Sequence, residues 1–366
     1  MSAGSAREPF NVLRPGDERD ALAAAIARVI DSGWFVLGPE VAAFESEFAT
    51  ATGAQHAVGV NTGTDAIALA LRALDIGAGD EVITSPLSAA YTALAIDMAG
   101  ARPVFADLDP ERLTLDPDAV EAAVTSRTRA LVPVHLYGQP ADMDRLSAVA
   151  ARHGLAVVED ACQAHLATHR GEPLGRGSVA AAYSFYSTKN LGALGDGGAI
   201  TTDDAALAAR LKRLRNGGQT SRYHHAERGV NSRLDELQAA ILRAKLPRLA
   251  AATETRRRLA AEYRARLHTP AVQVPREFDA GHVYHLFPVL VADREGFQRH
   301  MRDAGIETLI HYPVPIPRQP AAAAWTPAQC PIADRVCESV VSLPLYPSLS
   351  AAALAEVAAA VAAFSR

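Results

Sequence analysis

From residue 56 onward the chain alternates short apolar runs with helical stretches, and this alternation restricts the fold more than any other feature. Runs at 57–60, 81–84, 103–106, 130–135, 156–159, 181–185 and 199–201 read as strands. Helical stretches such as 65–74 and 92–98 lie between the early ones. Alternating β and α units predict an α/β fold with a mainly parallel seven-stranded sheet covered by helices on both faces. In such sheets ligands bind beyond the C-terminal ends of the strands. Thr62, Asp160 and Ser184 fall just there.

Upstream, residues 16–33 read as a helix, with acidic residues in the first turn and Leu22, Ile26 and Ile30 at helical spacing. The stretch Gly33-Trp34-Phe35-Val36-Leu37-Gly38-Pro39 reads as a turn-rich loop before a second helix at 40–50. Its Trp34 and Phe35 rings form either a binding wall or a pair of anchors in the core. Beyond residue 202 the chain turns helical, at 204–215 and at 235–267, with Pro247 expected to kink or break the second run. The polar and aromatic loop 216–232 between them is long enough to reach outward. A second β/α unit follows: a strand at 284–291, a helix at 294–304, a proline-rich turn at 312–320 and an alanine-rich helix at 350–364. The expected division is a large domain over 1–245 and a smaller C-terminal α/β domain over 246–366.

Composition narrows the partners. A net charge of -5 argues against nucleic acid or an anionic membrane as the main partner. No run approaches the ~20 apolar residues of a membrane span, and the N-terminus lacks a signal-peptide pattern. Cys162, Cys330 and Cys337 are odd in number and spaced unlike a zinc site or a disulfide framework, which predicts a reducing, cytoplasmic setting.

The chemistry concentrates between residues 157 and 202. The chain has only three lysines, and it writes its other cations as Arg. Lys212 and Lys245 lie in amphipathic helical stretches, where either cation would serve, whereas Lys189 stays Lys among Ser187, Thr188 and Asn190 near a strand end. Lysine can lose its proton and attack a carbonyl; arginine cannot. Thr62-Gly63-Thr64-Asp65, between a strand and a helix, offers backbone N–H groups and hydroxyls to an anion, although the same residues also read as an ordinary N-cap turn. With Asp160 they supply the three parts of a pyridoxal phosphate site: an amine for the aldehyde, a cradle for the phosphate and a carboxylate for the ring nitrogen.

At these residues the chain resembles the DegT/DnrJ/EryC1/StrS family of sugar aminotransferases. The resemblance runs through SGWFVLGPEVAAFE, GVNTGTDAIALAL, VPVHLYGQPADMD, EDACQAH, YSFYSTKNLGALGDGG, GVNSRLDELQAAIL, IHYPVP and SLPLYPSLS, in the family's order. It implies fold type I of the pyridoxal phosphate enzymes. Lys189 would be the Schiff-base residue and proton shuttle, Asp160 the partner of the pyridinium nitrogen, and Gln163 a neighbour of the ring and its 3-hydroxyl. Gly63, Thr64 and Ser184 would hold the phosphate. Asn231 would reach the cofactor of a neighbouring subunit, making a homodimer with shared sites; as a sequence feature, Asn231-Ser232 also reads as a helix N-cap. Where the family often carries an aromatic that stacks on the cofactor, this chain has Ala89. Tyr91, two residues on, is offered in its place, or else is a packing residue at a helix start. The family's dehydratases replace the lysine with His, so Lys189 points to transamination. The implied reaction moves an amino group, with L-glutamate as donor, to a nucleotide-linked keto-sugar, and the wording sits closest to the branch acting on dTDP-3-keto-6-deoxyhexoses. A 4-keto-sugar or scyllo-inosose aminotransferase, a non-catalytic cofactor-binding regulator and a cofactor-free sugar-binding scaffold are the alternatives.

Overall fold

The computed structural model describes residues 8–325 and 328–365. The first residues of the N-terminal stretch, searched above for a signal pattern, lie outside them. Five strands come first: β1 His56–Val60, β2 Glu81–Thr84, β3 Arg102–Phe105, β4 Thr128–Val132 and β5 Ala156–Asp160. A short hairpin, β6 Thr168–His169 and β7 Glu172–Pro173, precedes β8 Ala180–Ser184 and β9 Gly198–Thr202. The central sheet has seven strands in the order β1-β9-β8-β5-β4-β2-β3. β9 runs antiparallel to both neighbours, and every other pairing is parallel. The sheet is thus mainly parallel, as the alternation predicts. The one reversed strand has a consequence for the site: Gly198, which opens β9, pairs with Val60 at the end of β1 and with Ser184 at the end of β8.

The helices of this part are α1 Arg19–Ser32, α2 Pro39–Thr52, α3 Gly63–Ala73, α4 Tyr91–Met98, α5 Pro117–Ala123, α6 Met143–His153 and α7 Ala205–Leu214. Successive strand residues face opposite sides. Ala180 and Ala182 of β8 therefore join the core formed with α3, α4 and α7, while Ala181 and Tyr183 join the core formed with α2. α3 is apolar nearly all round (Ala66, Ile67, Ala68, Leu69, Ala70 and Leu71 are buried), as a helix sealed inside a fold must be. Its buried position fixes its first turn, and with it the candidate anion cradle, against the ends of β1 and β8.

After α7 the loop 216–232 is partly ordered as a hairpin, β10 Gln219–Ser221 and β11 His224–His225, with Tyr223 at φ 66° in the turn. The expected break at Pro247 is a 3-10 turn, Leu246–Arg248, between α8 Glu236–Lys245 and α9 Leu249–Arg266; proline has no N–H to continue the helix. A second, antiparallel sheet holds β12 Val272–Gln273, β13 Phe287–Val291 and β14 Val340–Leu343. It shares a core with α9, α10 Arg294–Asp303 and α12 Ala351–Ala363. α11 Pro331–Ser339 packs in a neighbouring cluster. The strand expected from residue 284 starts three residues later, because Tyr284 sits at φ 46°, outside the extended region. Among the described residues no helix is long and apolar enough to cross a membrane.

Candidate active site

The site is assembled where β1, β5, β8 and the start of β9 meet α3 and α4. Thr62 caps α3, its Oγ1 accepting from the Asp65 amide at 3.0 Å. Gly63 and Thr64 then occupy the first two helical positions, whose N–H groups have no partner within the helix and face outward as anion donors. The close fit demands glycine twice. A Cβ on Gly63 would stand 2.7 Å from Cys162 Sγ and 2.8 Å from Ser184 Cβ, and one on Gly198 would stand 2.4 Å from the Thr62 carbonyl. The Asp65 carboxylate is drawn aside by Ser232, whose hydroxyl donates to it at 2.8 Å and accepts from the Asn61 amide at 3.1 Å.

Asp160 ends β5 and is 4% exposed. Both of its carboxylate oxygens are held: Oδ2 accepts from Thr92 Oγ1 at 2.6 Å, and Oδ1 from the Cys162 amide at 3.1 Å. Gln163 is equally buried. Its Oε1 accepts from the Tyr137 amide at 2.8 Å, and its Nε2 donates to the Tyr312 hydroxyl at 3.1 Å. Burial pushes the Tyr312 phenol up to about 12, so it stays protonated across the working range.

Lys189 follows β8 in a tight turn closed by its own amide, which donates to the Tyr186 carbonyl at 2.8 Å. The turn needs Gly192, where a Cβ would stand 2.5 Å from the Ser187 carbonyl. Lys212 pairs with Glu45 at 3.7 Å, and Lys245 donates to the Gly192 carbonyl at 2.8 Å. Lys189, among the described residues, has no ion pair. Burial holds its pKa below the ordinary lysine value, partly opposed by the nearby Cys162 and Asp160. Beside it, His165 is lowered to about 3 by burial and by Lys189; its Nε2 meets the Ser184 carbonyl at 2.9 Å. This neutral imidazole is a fixed part of the wall and no spare base.

Of the residues singled out in the sequence, the fold thus gathers Gly63, Thr64, Asp160, Gln163, Ser184 and Lys189 at one edge of the sheet. Tyr91 opens α4 and is 64% exposed in the single chain, and its neighbour Thr92 donates to Asp160. Asn231 is exposed in the single chain, bridged through its backbone to Asn216. Trp34 and Phe35, 56% and 50% exposed, do not anchor their loop in the core. Sequence reasoning missed Thr92, Tyr137 and Tyr312. Thr92 is a hydroxyl within an otherwise apolar helix start, and the two tyrosines lie in motifs quoted above, but their partners are distant in the chain.

These residues fit pyridoxal phosphate. A glycine-lined helix start suits a phosphate, a lysine with no ion pair and a lowered pKa suits an aldehyde, and a buried carboxylate offers an acceptor for a protonated ring nitrogen.

Known proteins give the same reading. The model of the DegT/DnrJ/EryC1/StrS aminotransferase family matches residues 17–362. The dTDP-3-amino-3,4,6-trideoxy-alpha-D-glucose transaminase of Streptomyces venezuelae is 49% identical over 353 residues, covering 95% of this chain and 93% of the relative. The dTDP-3-amino-3,6-dideoxy-alpha-D-galactopyranose transaminase of Aneurinibacillus thermoaerophilus is 46% identical, with 96% and 98% covered. The crystal structure of S. venezuelae DesV in complex with a ketimine intermediate matches with a TM-score of 0.94 at 48% identity, over 97% of this chain and 98% of that one. The chain belongs to the DegT/DnrJ/EryC1/StrS aminotransferase family.

Proposed function

We propose that this aminotransferase uses pyridoxal phosphate to convert a dTDP-linked 3-keto-6-deoxyhexose to the 3-amino sugar, with L-glutamate as amino donor, as a cytoplasmic homodimer. The observation that carries the cofactor assignment is Lys189, a lysine of lowered pKa with no ion pair among the described residues, set beside Asp160 and the Gly63–Thr64 helix start. The substrate follows from two relatives, 49% and 46% identical, each named for a dTDP-linked 3-amino sugar.

When bound, pyridoxal phosphate supplies an aldehyde that joins amines and a ring that withdraws electrons from the adjoining carbon. The rest belongs to the chain. Gly63 and Thr64 N–H groups and the Ser184 hydroxyl bind the phosphate. Asp160, held by Thr92 and the Cys162 amide, keeps the ring nitrogen protonated. Gln163, fixed at both ends of its amide, meets the ring's 3-hydroxyl side. Lys189 moves the proton at its Nζ. Tyr91, exposed in the single chain, would cover the ring in place of the aromatic that Ala89 lacks. A boundary between the large domain, 1–245, and the smaller one, 246–366, belongs to this reading; the end of α8 at Lys245 and the break at Pro247 support it. Incubation with 15N-glutamate and, in turn, a dTDP-linked 3-keto-6-deoxyhexose, its 4-keto isomer and scyllo-inosose tests the reaction. Label is expected in the 3-amino product; transfer only to the 4-keto sugar or to scyllo-inosose refutes the substrate, and transfer to none refutes the reaction.

Asn231 completes a partner's site in this reading. Phosphate carries about two negative charges, and a further amide donor satisfies an oxygen that the helix start leaves open, at roughly 1.5–3 kcal/mol per charge-assisted bond. Mixing inactive Lys189→Ala subunits with weakened Asn231→Ala subunits is expected to raise activity above either parent, because one site of the mixed dimer then carries neither defect. A flat average of the parents, with subunit exchange verified, would show that each chain builds its own site.

A further inference from the structure

Glu159 lies one residue before Asp160 on β5, so its side chain leaves the opposite face of the strand. It is 1% exposed, and none of the roles above uses it. Its carboxylate accepts three hydrogen bonds: from His135 Nε2 at 2.9 Å, from the Gly175 amide at 2.9 Å and from Ser178 Oγ at 2.5 Å. Among the described residues no Lys or Arg pairs with it. A buried carboxylate without a cation is costly, and three converging donors offset that cost.

The second partner defines what the group does. His135 is fully buried, and its Nδ1 accepts from the Ala141 amide at 3.1 Å. An amide N–H can only donate, so Nδ1 is bare and Nε2 carries the proton that goes to Glu159. Loop 135–141 is thereby closed on itself. Its first amide donates to the Asp160 carbonyl at 3.1 Å, and its last is held by the imidazole of its first residue. Within the loop Tyr137 is left-handed (φ 60°, ψ 5°), a conformation that a bulky residue keeps only when its surroundings impose it. That conformation aims the Tyr137 amide at Gln163 Oε1, 2.8 Å away. The same loop accepts from the Val283 amide at 3.0 Å and the Leu286 amide at 3.3 Å.

We infer that Glu159 is a positioning residue for the site: by fixing the His135 tautomer it clamps loop 135–141, and the clamped loop presents the amide that orients Gln163. The functional half rests on the reading of Gln163 as a neighbour of the cofactor ring; the clamp does not.

Glu159→Leu separates the two halves. Glutamine would not, because its carbonyl could take the two donors that share Oε2 while its NH₂ met a reversed Ser178 hydroxyl. Leucine fills a similar space and accepts nothing, so His135 Nε2 loses its partner. In the cofactor-free protein, amides of 136–141 are expected to exchange with solvent roughly ten- to a hundredfold faster, the range set by loss of one charge-assisted hydrogen bond. Those of β13 should keep their protection. With pyridoxal phosphate bound, the pH midpoint of its absorption band is expected to move. Glu172→Gln, which alters an exposed carboxylate on β7 paired with Arg176, should move neither. A merely structural Glu159 would lower the melting temperature and leave the band of the folded fraction unchanged. Unaltered exchange at 136–141 overturns the clamp; faster exchange with an unmoved band overturns the positioning role. Should Glu159→Leu not fold, Ser178→Ala removes one of the three donors and is read the same way, with a smaller increase. If the cofactor does not bind at all, the functional reading falls while the exchange data still decide the clamp.

Discussion

Lys189→Ala protein is expected to lose amino transfer by roughly 10⁴-fold or more, since in the proposed reaction one change would remove both the cofactor's covalent anchor and the general acid–base group. The imidazoles around it, His165, His285 and His311, are all held below the ordinary histidine value by burial and by Lys189. His165 is neutral and tied to the Ser184 carbonyl, while Lys212 and Lys245 are engaged with Glu45 and Gly192. Lys189→Arg should fare no better than Ala, because a guanidinium does not give up its proton. The fold should survive. A lysine whose pKa is lowered on folding binds fewer protons folded than unfolded. It costs stability in full below the lowered value, and the cost fades as pH rises from there to the ordinary lysine value. Cofactor-free Lys189→Ala should therefore melt no lower than its parent at neutral pH. Borohydride reduction of the parent followed by peptide mapping is expected to find the cofactor on Lys189. An adduct on Lys212 or Lys245, or turnover surviving in Lys189→Ala, would remove Lys189 from the centre of the chemistry.

Lys189 stood out in the sequence because lysine is scarce here and because strand ends announce themselves. Short apolar runs break off at Thr62, Asp160 and Ser184, and an α/β sheet brings such ends to one edge. The direction of β9 was not legible. Gly198–Thr202 is a short apolar run that reads the same either way, yet its reversal is what carries Gly198 between β1 and β8. The contacts that orient the site were hidden for another reason: Gln163 meets Tyr312 across 149 residues, and no local pattern encodes such a meeting. Thr92 and Tyr91 show the limit of adjacent choices. Consecutive helical residues point about 100° apart, so an exposed ring and a buried hydroxyl can be neighbours, and only packing tells which one faces Asp160. Helix boundaries around Pro247 followed from covalent chemistry and needed no such context.

Asp160→Asn carries the second large effect, and the site is built so that the test is clean. An asparagine can keep the local geometry: its carbonyl accepts from the Cys162 amide, and its NH₂ donates to Thr92 Oγ1, which simply reverses its role. Packing and cofactor affinity should therefore change little. What disappears is the negative charge that, in the proposed reaction, would hold the proton on the ring nitrogen. An opposite charge at contact favours the charged form by about 1–3 pKa units, each worth about 1.4 kcal/mol. Without it a bound ring would withdraw electrons less well, and the proton that Lys189 would hold in the proposed reaction would move less readily. Turnover is expected to fall roughly 10²- to 10³-fold, about 2.7–4 kcal/mol, with KM for the keto-sugar nearly unchanged. Asp160→Ala should fall as far and lose cofactor as well, since it leaves the Thr92 hydroxyl and the Cys162 amide facing nothing. If Asp160→Asn turns over near the parent rate with the cofactor bound, Asp160 is only a strand-end residue held by Thr92, and the ring nitrogen must find its partner elsewhere.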